Sequence, residues 1–443
     1  MDSGDVAALG AGRQPDTVTS ANASVSIPTA AAPSRYPWQL VGLLWMVAFL
    51  NNADRAVIVA VMPQLRTEFQ LTATQLALIS SVFFWIYAIA AFLSGRLGDT
   101  GRRSRIVIAG LAFWSIATGV ASLSTGFVMF IALRAMVALG ESTYYPAATA
   151  LISDWHSRKL RSRALSLHQT GVFAGAGLGA FAAGLMADRF GWRIPFVVFG
   201  LAGLALGLVL IKVLRDAPQS RAATASPAKA SDKSSLRLVL GQRAALYLCV
   251  VFFLSNGAAT GLTVWAPTYV HDVIGLNLGA SALYGSASIN LAGFLSVPFG
   301  GLLADWLAER SAIGRFYALI VGLSIAALFL LPFALARSAM MIGAVLLCST
   351  LGKGVFDGCI YAAMHDIVPP RARATAVGLM TMLGFFGAGL MPLVIARSAV
   401  YFGMAAGLAS LAVLYFMAVG ILLATRGITH AAVLETRQIE AGT

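Results

Sequence analysis

Apolar runs of about 20 residues recur along most of this 443-residue chain, and each is long enough to cross a bilayer as a helix. Only 11% of the residues are charged, against roughly 25% in an ordinary soluble domain. Lipid offers the backbone no hydrogen-bond partners, so spanning segments form helices. The sequence therefore predicts an all-α polytopic membrane protein with twelve transmembrane helices. The predicted spans lie near 38–62, 76–98, 105–124, 126–152, 164–187, 193–214, 244–270, 281–305, 315–337, 339–364, 373–396 and 400–424.

The formal net charge of +13 is concentrated in alternate loops. Arg102, Arg103 and Arg105 follow the second predicted span, and four basic residues follow the fourth, in HSRKLRSR. The intervening loops, such as LSTGF, carry no basic residue. This asymmetry is typical of membrane topology, so we expect no nucleic-acid partner. It predicts cytoplasmic N- and C-termini, and we expect a protein of the bacterial inner (plasma) membrane.

A polar segment divides the chain after six spans. The stretch RDAPQSRAATASPAKASDKSS is rich in Ala, Ser and Lys without periodicity, which is typical of a linker. We therefore predict a cytoplasmic linker at 215–243 between six-helix bundles at 36–214 and 244–425. Residues 1–35 lack the apolar core of a signal peptide and are predicted to be a disordered cytoplasmic tail, and 426–443 a second cytoplasmic tail.

The two predicted bundles echo each other in sequence. GRLGD (95–99) returns as GLLAD (301–305), LRSRALSL (160–167) returns as PRARATAV (370–377), and the pair Gly140 and Asp154 returns as Gly352 and Asp366. The offsets of 206, 210 and 212 residues are nearly equal. Such a repeat predicts two pseudo-symmetric bundles with a binding site at their shared midplane, which is the architecture of a secondary transporter.

Several motifs resemble a known family. The loop GRLGDTGRRSR resembles the loop signature of the major facilitator superfamily, although it is one residue short and has Thr100 at a usually basic position. NNADR, VFFWIY, RAMVALGESTYYPAATALISDW, GWRIPFVVFG and WAPTYV are similar to its anion:cation symporter branch, and the resemblance covers nearly all of 38–425. It implies the twelve-helix, two-bundle fold and proton-coupled uptake of an organic anion by alternating access.

Ionisable residues inside the predicted spans are few, namely Asp54, Arg55, Arg134, Glu141, Lys353 and Asp357. A charge at the bilayer centre costs at least ~2.5 kcal/mol, so each indicates a functional or structural role. Asp54 and Arg55 point about 100° apart on a helix, whereas Arg134 and Glu141, seven residues apart, share one face. Arginine is matched to a carboxylate ligand, and a buried carboxylate can exchange a proton near neutral pH.

The family resemblance implies a division of labour among these charges. Arg55 and Arg134 would hold the substrate anion, while Asp54 and Glu141 would carry protons. The alternative is that Arg134 and Glu141 are ion-pair staples between helices. Each of these interpretations requires the shared face of the fourth span to turn away from lipid.

Two further charges and several polar residues are additional candidates. Lys353 and Asp357, four residues apart, form either a self-neutralised pair or an extra contact for the anion or for proton coupling. Five residues are expected at the wall of the substrate site, namely Tyr87, Gln169, Asn256, Thr381 and Phe385. Thr381 and Phe385 stand where sugar-acid carriers of the branch have Asn. We therefore expect a small carboxylate with an apolar or aromatic body rather than a hexonate.

Polar residues at the cytoplasmic end of the second span predict a gate. Asp99, beside Arg102 and Arg103, can accept hydrogen bonds from a neighbouring helix start and from arginines. Such a latch would open and close between two packings of the bundles. Asp305 would play the same part in the second half, and a simple topology anchor is the alternative.

Three functions compete at this stage. These are a proton-coupled importer of an organic anion, a proton-driven efflux antiporter for apolar or cationic compounds, and a membrane sensor without transport. Ala176 stands where antiporters of the superfamily have proline, and two pocket arginines disfavour a cation. No nucleophile–base arrangement, metal-ligand spacing or phosphate loop is evident, so we expect no enzymatic activity, no metal and no cofactor besides the proton gradient. We expect a monomer in the lipid bilayer.

Overall fold

The computed structural model describes residues 35–100, 102–156, 158–217, 232–369 and 372–441. The helices in chain order are α1 (Tyr36–Glu68), α2 (Ala73–Thr100), α3 (Arg103–Ala121), α4 (Phe127–Ser142), α5 (Tyr144–Trp155), α6 (Arg158–Phe190), α7 (Arg193–Val213), α8 (Asp232–Gly241), α9 (Arg243–Tyr269), α10 (Leu278–Ala282), α11 (Ser288–Ala308), α12 (Gly314–Leu330), α13 (Ala339–Asp366), α14 (Arg373–Phe402), α15 (Met404–Ala424) and α16 (Arg426–Ala441). Short π-helical turns extend α9 and join α10 to α11, and a 3₁₀ turn follows α12.

Within the described part of the chain, these helices form twelve spans that are long and apolar enough to cross a membrane. The fourth span consists of α4 and α5, and the eighth consists of α10 and α11 with the turn between them. This confirms the predicted all-α polytopic fold with two six-helix bundles. Because successive spans alternate in direction, the loops after α2, α5 and α7 share one end of the bundle. We call it the basic end, and the end where α1 meets α2 the opposite end.

Helix α1 continues beyond the apolar run that predicted it, as far as Glu68. Polar side chains in the extension are hydrogen bonded to other helices: Gln64 donates to the carbonyl of Ala187 at 3.0 Å, and Arg66 binds Asp272 at 2.7 Å. These contacts satisfy groups that hydropathy alone counts as unfavourable. Contacts with other helices therefore stabilise this extension of α1.

The predicted linker and C-terminal tail both contain helix. Helix α8 occupies the end of the 215–243 segment and buries Val239 while Leu240 stays exposed. Helix α16 occupies most of 426–443 and buries Thr429, Ala432, Val433 and Thr436 on one face. That spacing of three and four residues is amphipathic. Residues 1–34, and with them most of the predicted N-terminal tail, lie outside the described ranges.

Glycines hold α6 tightly against α1. Gly171 faces Trp45, Gly175 faces Phe49 and Gly179 faces Ala53. A Cβ at Gly175 would overlap the carbonyl group of Phe49, so only glycine allows this approach. Small residues provide such close packing where no hydrophobic effect drives helices together. The contact fixes the segment of α1 that carries Asp54 and Arg55.

We expect Gly175→Ala and Gly42→Ala to shift the thermal unfolding midpoint of the purified protein in opposite directions. The first overpacks the α1–α6 contact, at a cost of roughly 1–3 kcal/mol. Gly42 is exposed on α1, and a Cβ there meets nothing within 4 Å. Alanine at that position should stabilise by up to about 1 kcal/mol because less backbone entropy is lost. Equal midpoints for the two variants would contradict the close contact.

Candidate functional site

Neighbouring residues of α1 form ion pairs with two different positions of α4. Arg55 Nε donates to Glu141 Oε2 at 2.5 Å, and Arg134 Nη1 lies 3.9 Å from Asp54 Oδ1. Asp54, Arg134 and Glu141 are each at most 3% exposed, whereas the side chain of Arg55 is 21% exposed. Each arginine thus pairs with a carboxylate on the other helix, and Asp54 and Arg55 make separate contacts.

The four charges are only partly satisfied by hydrogen bonds. Thr118 of α3 donates to Asp54 Oδ2 at 2.5 Å. Arg134 Nε and Nη1, Asp54 Oδ1 and Glu141 Oε1 are buried without a hydrogen-bond partner among the described residues. A buried polar group left unpaired costs about 1–3 kcal/mol, and more when it is charged. The Arg134 guanidinium therefore retains capacity for an acceptor.

Aromatic rings of α2 surround the two guanidinium groups. Arg55 Cζ lies 4.4 Å from the ring centroid of Tyr87 and 5.3 Å from that of Phe83, and Arg134 Cζ lies 4.8 Å from the Phe83 centroid. From the second half, Phe385 packs on Tyr87 with a centroid separation of 4.9 Å. Cation–π contacts stabilise the two guanidinium groups here. Phe385 packs behind the Tyr87 ring that contacts Arg55.

A central cavity of about 200 Å³ adjoins these charges. Its lining residues come from both halves and are Asn52, Arg55, Ala56, Ile58, Val59, Ser80, Phe83, Phe84, Arg134, Ala176, Thr260, Thr263, Val264, Ser286 and Asn290. Three of the polar ones donate to carbonyls of their own helices, namely Asn52 to Ala48, Thr263 to Ala259 and Asn290 to Ser286. The cavity combines two arginines with aliphatic and aromatic walls.

Several residues expected at the pocket wall lie outside this lining. Asn256 donates to the carbonyl of Gly384 at 2.9 Å and so ties α9 to α14. Gln169 accepts a hydrogen bond from the Tyr145 hydroxyl at 2.9 Å. Thr381 is hydrogen bonded to Tyr361, and Tyr87 and Phe385 stand behind the arginines as described above. None of these five residues lines the central cavity in this conformation, and their roles as direct substrate contacts stay predictions.

Sequence reasoning missed Phe83 and Thr118, which contact the charges directly. Phe83 precedes Tyr87 by four residues in VFFWIY, so helical periodicity could have placed both on one face. Thr118 had no such signal, because its partner lies on another helix.

Lys353 and Asp357 contact each other. Lys353 Nζ lies 2.5 Å from Asp357 Oδ1, and the side chains are 4% and 39% exposed. The ammonium also lies 5.0 Å from the Phe356 ring centroid. Of the two sequence interpretations, the self-neutralised pair is the arrangement present, with the carboxylate on the more exposed side.

At the basic end, each half contains an arginine–aspartate contact at the same repeat position. Arg103 is bonded to Asp154, and Arg315, offset by 212 residues, is bonded to Asp366 at 2.6 Å. Arg315 also contacts Asp305, at 3.0 Å. Sequence analysis overlooked Arg315, although the Gly140–Asp154 repeat has the same offset and pointed to it.

The remaining gating candidates are Arg102 and Asp99. Arg102 is exposed and lines a separate cavity between α3 and α7. The side chain of Asp99 lies outside the described part of the chain.

At the opposite end, polar contacts join the two halves. Arg66 of α1 makes a bidentate contact with Asp272 beyond α9, at 2.7 and 3.0 Å. Asp188 of α6 accepts hydrogen bonds from the backbone N–H groups of Leu278 and Gly279 at 3.0 and 2.9 Å. The first N–H groups of a helix have no partner within the helix, so Asp188 binds the start of α10. These contacts join the two halves of the chain at the opposite end.

A larger cavity of about 890 Å³ lies between α6, α11 and α13. It is bordered by exposed apolar side chains, among them Leu178, Leu291 and Met340. In a membrane protein, exposed apolar side chains at spans contact lipid tails. This cavity is therefore a lipid-facing crevice, and it shares Asn290 with the central cavity.

Comparison with known proteins places these features in a family context. A family model described as Major Facilitator Superfamily matches residues 44–392. A hexuronate transporter of Bacillus subtilis is 26% identical over 400 residues, covering 84% of this chain and 93% of that protein. A probable sulfoacetate transporter of Cupriavidus necator is 25% identical over 366 residues, covering 80% and 84% respectively.

A solved structure shares the fold. It is a bacterial homologue of the human lysosomal transporter Spinster, crystallised in an inward-facing, unoccupied conformation. It aligns with a TM-score of 0.75 at 21% identity and covers 92% of this chain and 99% of that one.

A double-mutant cycle should separate the buried ion pair from an exposed one. For Arg55→Gln and Glu141→Gln we expect a coupling energy on the order of 2 kcal/mol in the free energy of unfolding, since each single variant leaves a charge unpaired in the interior. The cycle with Arg66→Gln and Asp272→Asn, at the exposed end, should give less than about 1 kcal/mol. Unfolding in mixed micelles measures both coupling energies. Equal values would argue against a buried Arg55–Glu141 ion pair.

Proposed function

The chain belongs to the Major Facilitator Superfamily, and on that premise we propose that it is a secondary transporter which takes up a small organic anion together with protons by alternating access. The observation that carries the proposal is Arg134. Its side chain is 3% exposed and lines the central cavity, and its Nε and Nη1 atoms have no hydrogen-bond partner in the described structure. A carboxylate ligand would satisfy these donors in the planar geometry that arginine prefers.

Three further observations support a small anionic substrate. Arg55 also lines the cavity, and like-charge repulsion from two arginines disfavours a cation. The relatives named above are described as transporters of a hexuronate and, with the word probable, of sulfoacetate, and both compounds are organic acids. The cavity of about 200 Å³ is below the ~300–1,000 Å³ typical of ligand pockets, which favours a small acid. Transport of such an acid, rather than catalysis, fits this site.

The charges around the cavity support the proposed proton coupling. Two arginines and two carboxylates balance to zero when both carboxylates are ionised, so a bound monoanion adds one uncompensated negative charge. Buried net charge is costly, and one proton restores neutrality. Glu141 is placed to take that proton, because its protonation would release Arg55 from the 2.5 Å ion pair and free the guanidinium for the substrate. Asp54 is the second carboxylate, held by Thr118 and Arg134.

Alternating access requires a closed and an open end. The Arg66–Asp272 contact and the Asp188 hydrogen bonds to α10 join the halves at the opposite end. We assign the basic end to the cytoplasm by the positive-inside rule, in a bacterial inner membrane with cytoplasmic termini. On this assignment the arginine–aspartate contacts of Arg103 and Arg315 lie at the cytoplasmic end, where a gate would form in the outward-facing state.

We expect Glu141→Gln to abolish proton-driven accumulation of substrate in proteoliposomes while counterflow exchange remains measurable. A glutamine cannot cycle a proton, yet it leaves Arg134 and the cavity in place. The control is Glu68→Gln. Glu68 forms an ion pair with Arg193 at 2.7 Å and does not line the cavity. Accumulation should survive in the control. Uphill accumulation by Glu141→Gln would remove Glu141 from the proton pathway.

The cavity walls support a substrate with an apolar body. Phe83, Phe84, Ile58, Val59 and Val264 provide apolar surface. Phe385 packs on Phe84 from the second half, at a centroid separation of 6.2 Å. Since Asn52, Thr263 and Asn290 each donate a hydrogen bond to a carbonyl four residues earlier in the chain, they have fewer free donors for sugar hydroxyls. A small carboxylate with an apolar or aromatic body fits these walls.

A thermal-shift screen of organic acids at pH 5.5 and 7.5 should give a larger increase in unfolding temperature with benzoate-like or short aliphatic acids than with gluconate-like acids. Ligand that binds the folded state raises apparent stability, and the shift should be larger at the lower pH because binding takes up a proton. Arg134→Gln, which removes the unpaired donors, should lose the response. Uptake of gluconate-like acids into proteoliposomes without uptake of benzoate-like acids would overturn the proposed substrate class and leave the anion site itself standing.

A further inference from the structure

Helices α3 and α7 separate toward the basic end. Near the opposite end, a Cβ on Gly200 would lie 2.8 Å from the backbone nitrogen of Gly119, so the helices touch there. At Gly207, two turns nearer the basic end, the closest atom to such a Cβ is Leu111 Cδ2 at 3.9 Å. The two helices therefore form a wedge that is tight in the membrane and open at its basic end.

A cavity of about 490 Å³ occupies the open part of this wedge. Its side walls are aliphatic and are formed by Ile108, Ala109 and Ala112 of α3 and Ile211 of α7. Ile211 is 63% exposed and Ala109 is also exposed, so this wall faces lipid rather than the transport pathway. The cavity is separate from the central one, since the two share no lining residue.

Three arginines surround the mouth of the cavity, namely Arg102, Arg105 and Arg215, and all three are exposed. The one carboxylate in the lining, that of Asp216, is engaged with the start of α3: it accepts hydrogen bonds from Ser104 N at 2.9 Å and from Ser104 Oγ at 2.7 Å. Three positive charges against one negative charge leave a net charge of +2. The site is thus cationic at the membrane surface and apolar on the membrane side.

We infer that this wedge binds an anionic phospholipid of the adjacent leaflet, with the phosphate between the arginines and an acyl chain along the aliphatic wall of α3 and α7. Arginine binds phosphate oxygens through paired N–H donors, and basic cavities between spans are suited to lipid head groups. A soluble phosphate would share the head-group chemistry but would leave the aliphatic wall unused. A zwitterionic lipid would match the wall but not the charge.

Native mass spectrometry of the purified full-length protein tests the inference with phosphatidylglycerol, phosphatidylcholine of the same acyl chains, and glycerol 3-phosphate. Wild type should retain phosphatidylglycerol in preference to the other two. Arg102→Ala with Arg105→Ala should weaken phosphatidylglycerol binding on the order of fivefold per arginine, roughly 25-fold for the pair. The matched control is Arg237→Ala with Arg426→Ala, which removes two exposed arginines outside the wedge and should bind as wild type does.

A second variant tests the acyl-chain part of the site. Ala109→Phe fills the exposed wall without changing charge, so it should weaken phosphatidylglycerol binding and leave glycerol 3-phosphate binding as in wild type. Equal loss of phosphatidylglycerol from the double variant in the wedge and from the control double variant would overturn the inference, because general surface charge would then be enough to explain the binding. Glycerol 3-phosphate binding as tight as that of phosphatidylglycerol would also overturn it and assign the wedge to soluble anions.

Discussion

The two ion pairs between α1 and α4 are the interaction on which the rest of the first half depends. Four charges at the membrane interior are tolerable only while each lies beside an opposite charge. Arg55 pairs with Glu141 at 2.5 Å and Arg134 lies 3.9 Å from Asp54. Any movement that separates α1 from α4 would leave charge unpaired in a medium of low dielectric constant. The two helices are therefore held in register by electrostatics, and in the proposed mechanism substrate and proton act through the same four groups.

The surrounding packing makes this arrangement possible. The glycines of α6 bring α1 close enough to fix its charged segment, and the aromatic rings of Phe83 and Tyr87 cover the guanidinium groups. The second half contributes Phe385 behind this wall and polar side chains across the cavity. In the proposed alternating-access cycle, a site shared between the halves would change shape as the halves move against each other. This links the local chemistry of Arg134 to a global change between two packings.

Much of the architecture follows from sequence patterns alone. Hydropathy located the twelve spans, and the internal repeat predicted two related bundles, because both depend on local composition and spacing. The ends of α1 and the helices α8 and α16 were not foreseen, since their stability comes from contacts such as Arg66–Asp272 and the buried face at Ala432 and Val433. The repeat offset of 212 residues contained the signal for Arg315, whose partner Asp366 was already noted.

The sequence by itself determined that the chain spans the membrane in two related halves and which charged residues lie within the spans. Burying a charge in lipid is so costly that a charged residue within a span is informative wherever it occurs. Only the tertiary structure decided which charge meets which. The placement of Asn256 and Thr381 away from the cavity, and of Phe83 and Thr118 against the charges, was decided there as well. Helical periodicity fixes directions around one axis, whereas partners on different helices depend on how the axes pack, and that is set by long-range contacts such as those of Gly175.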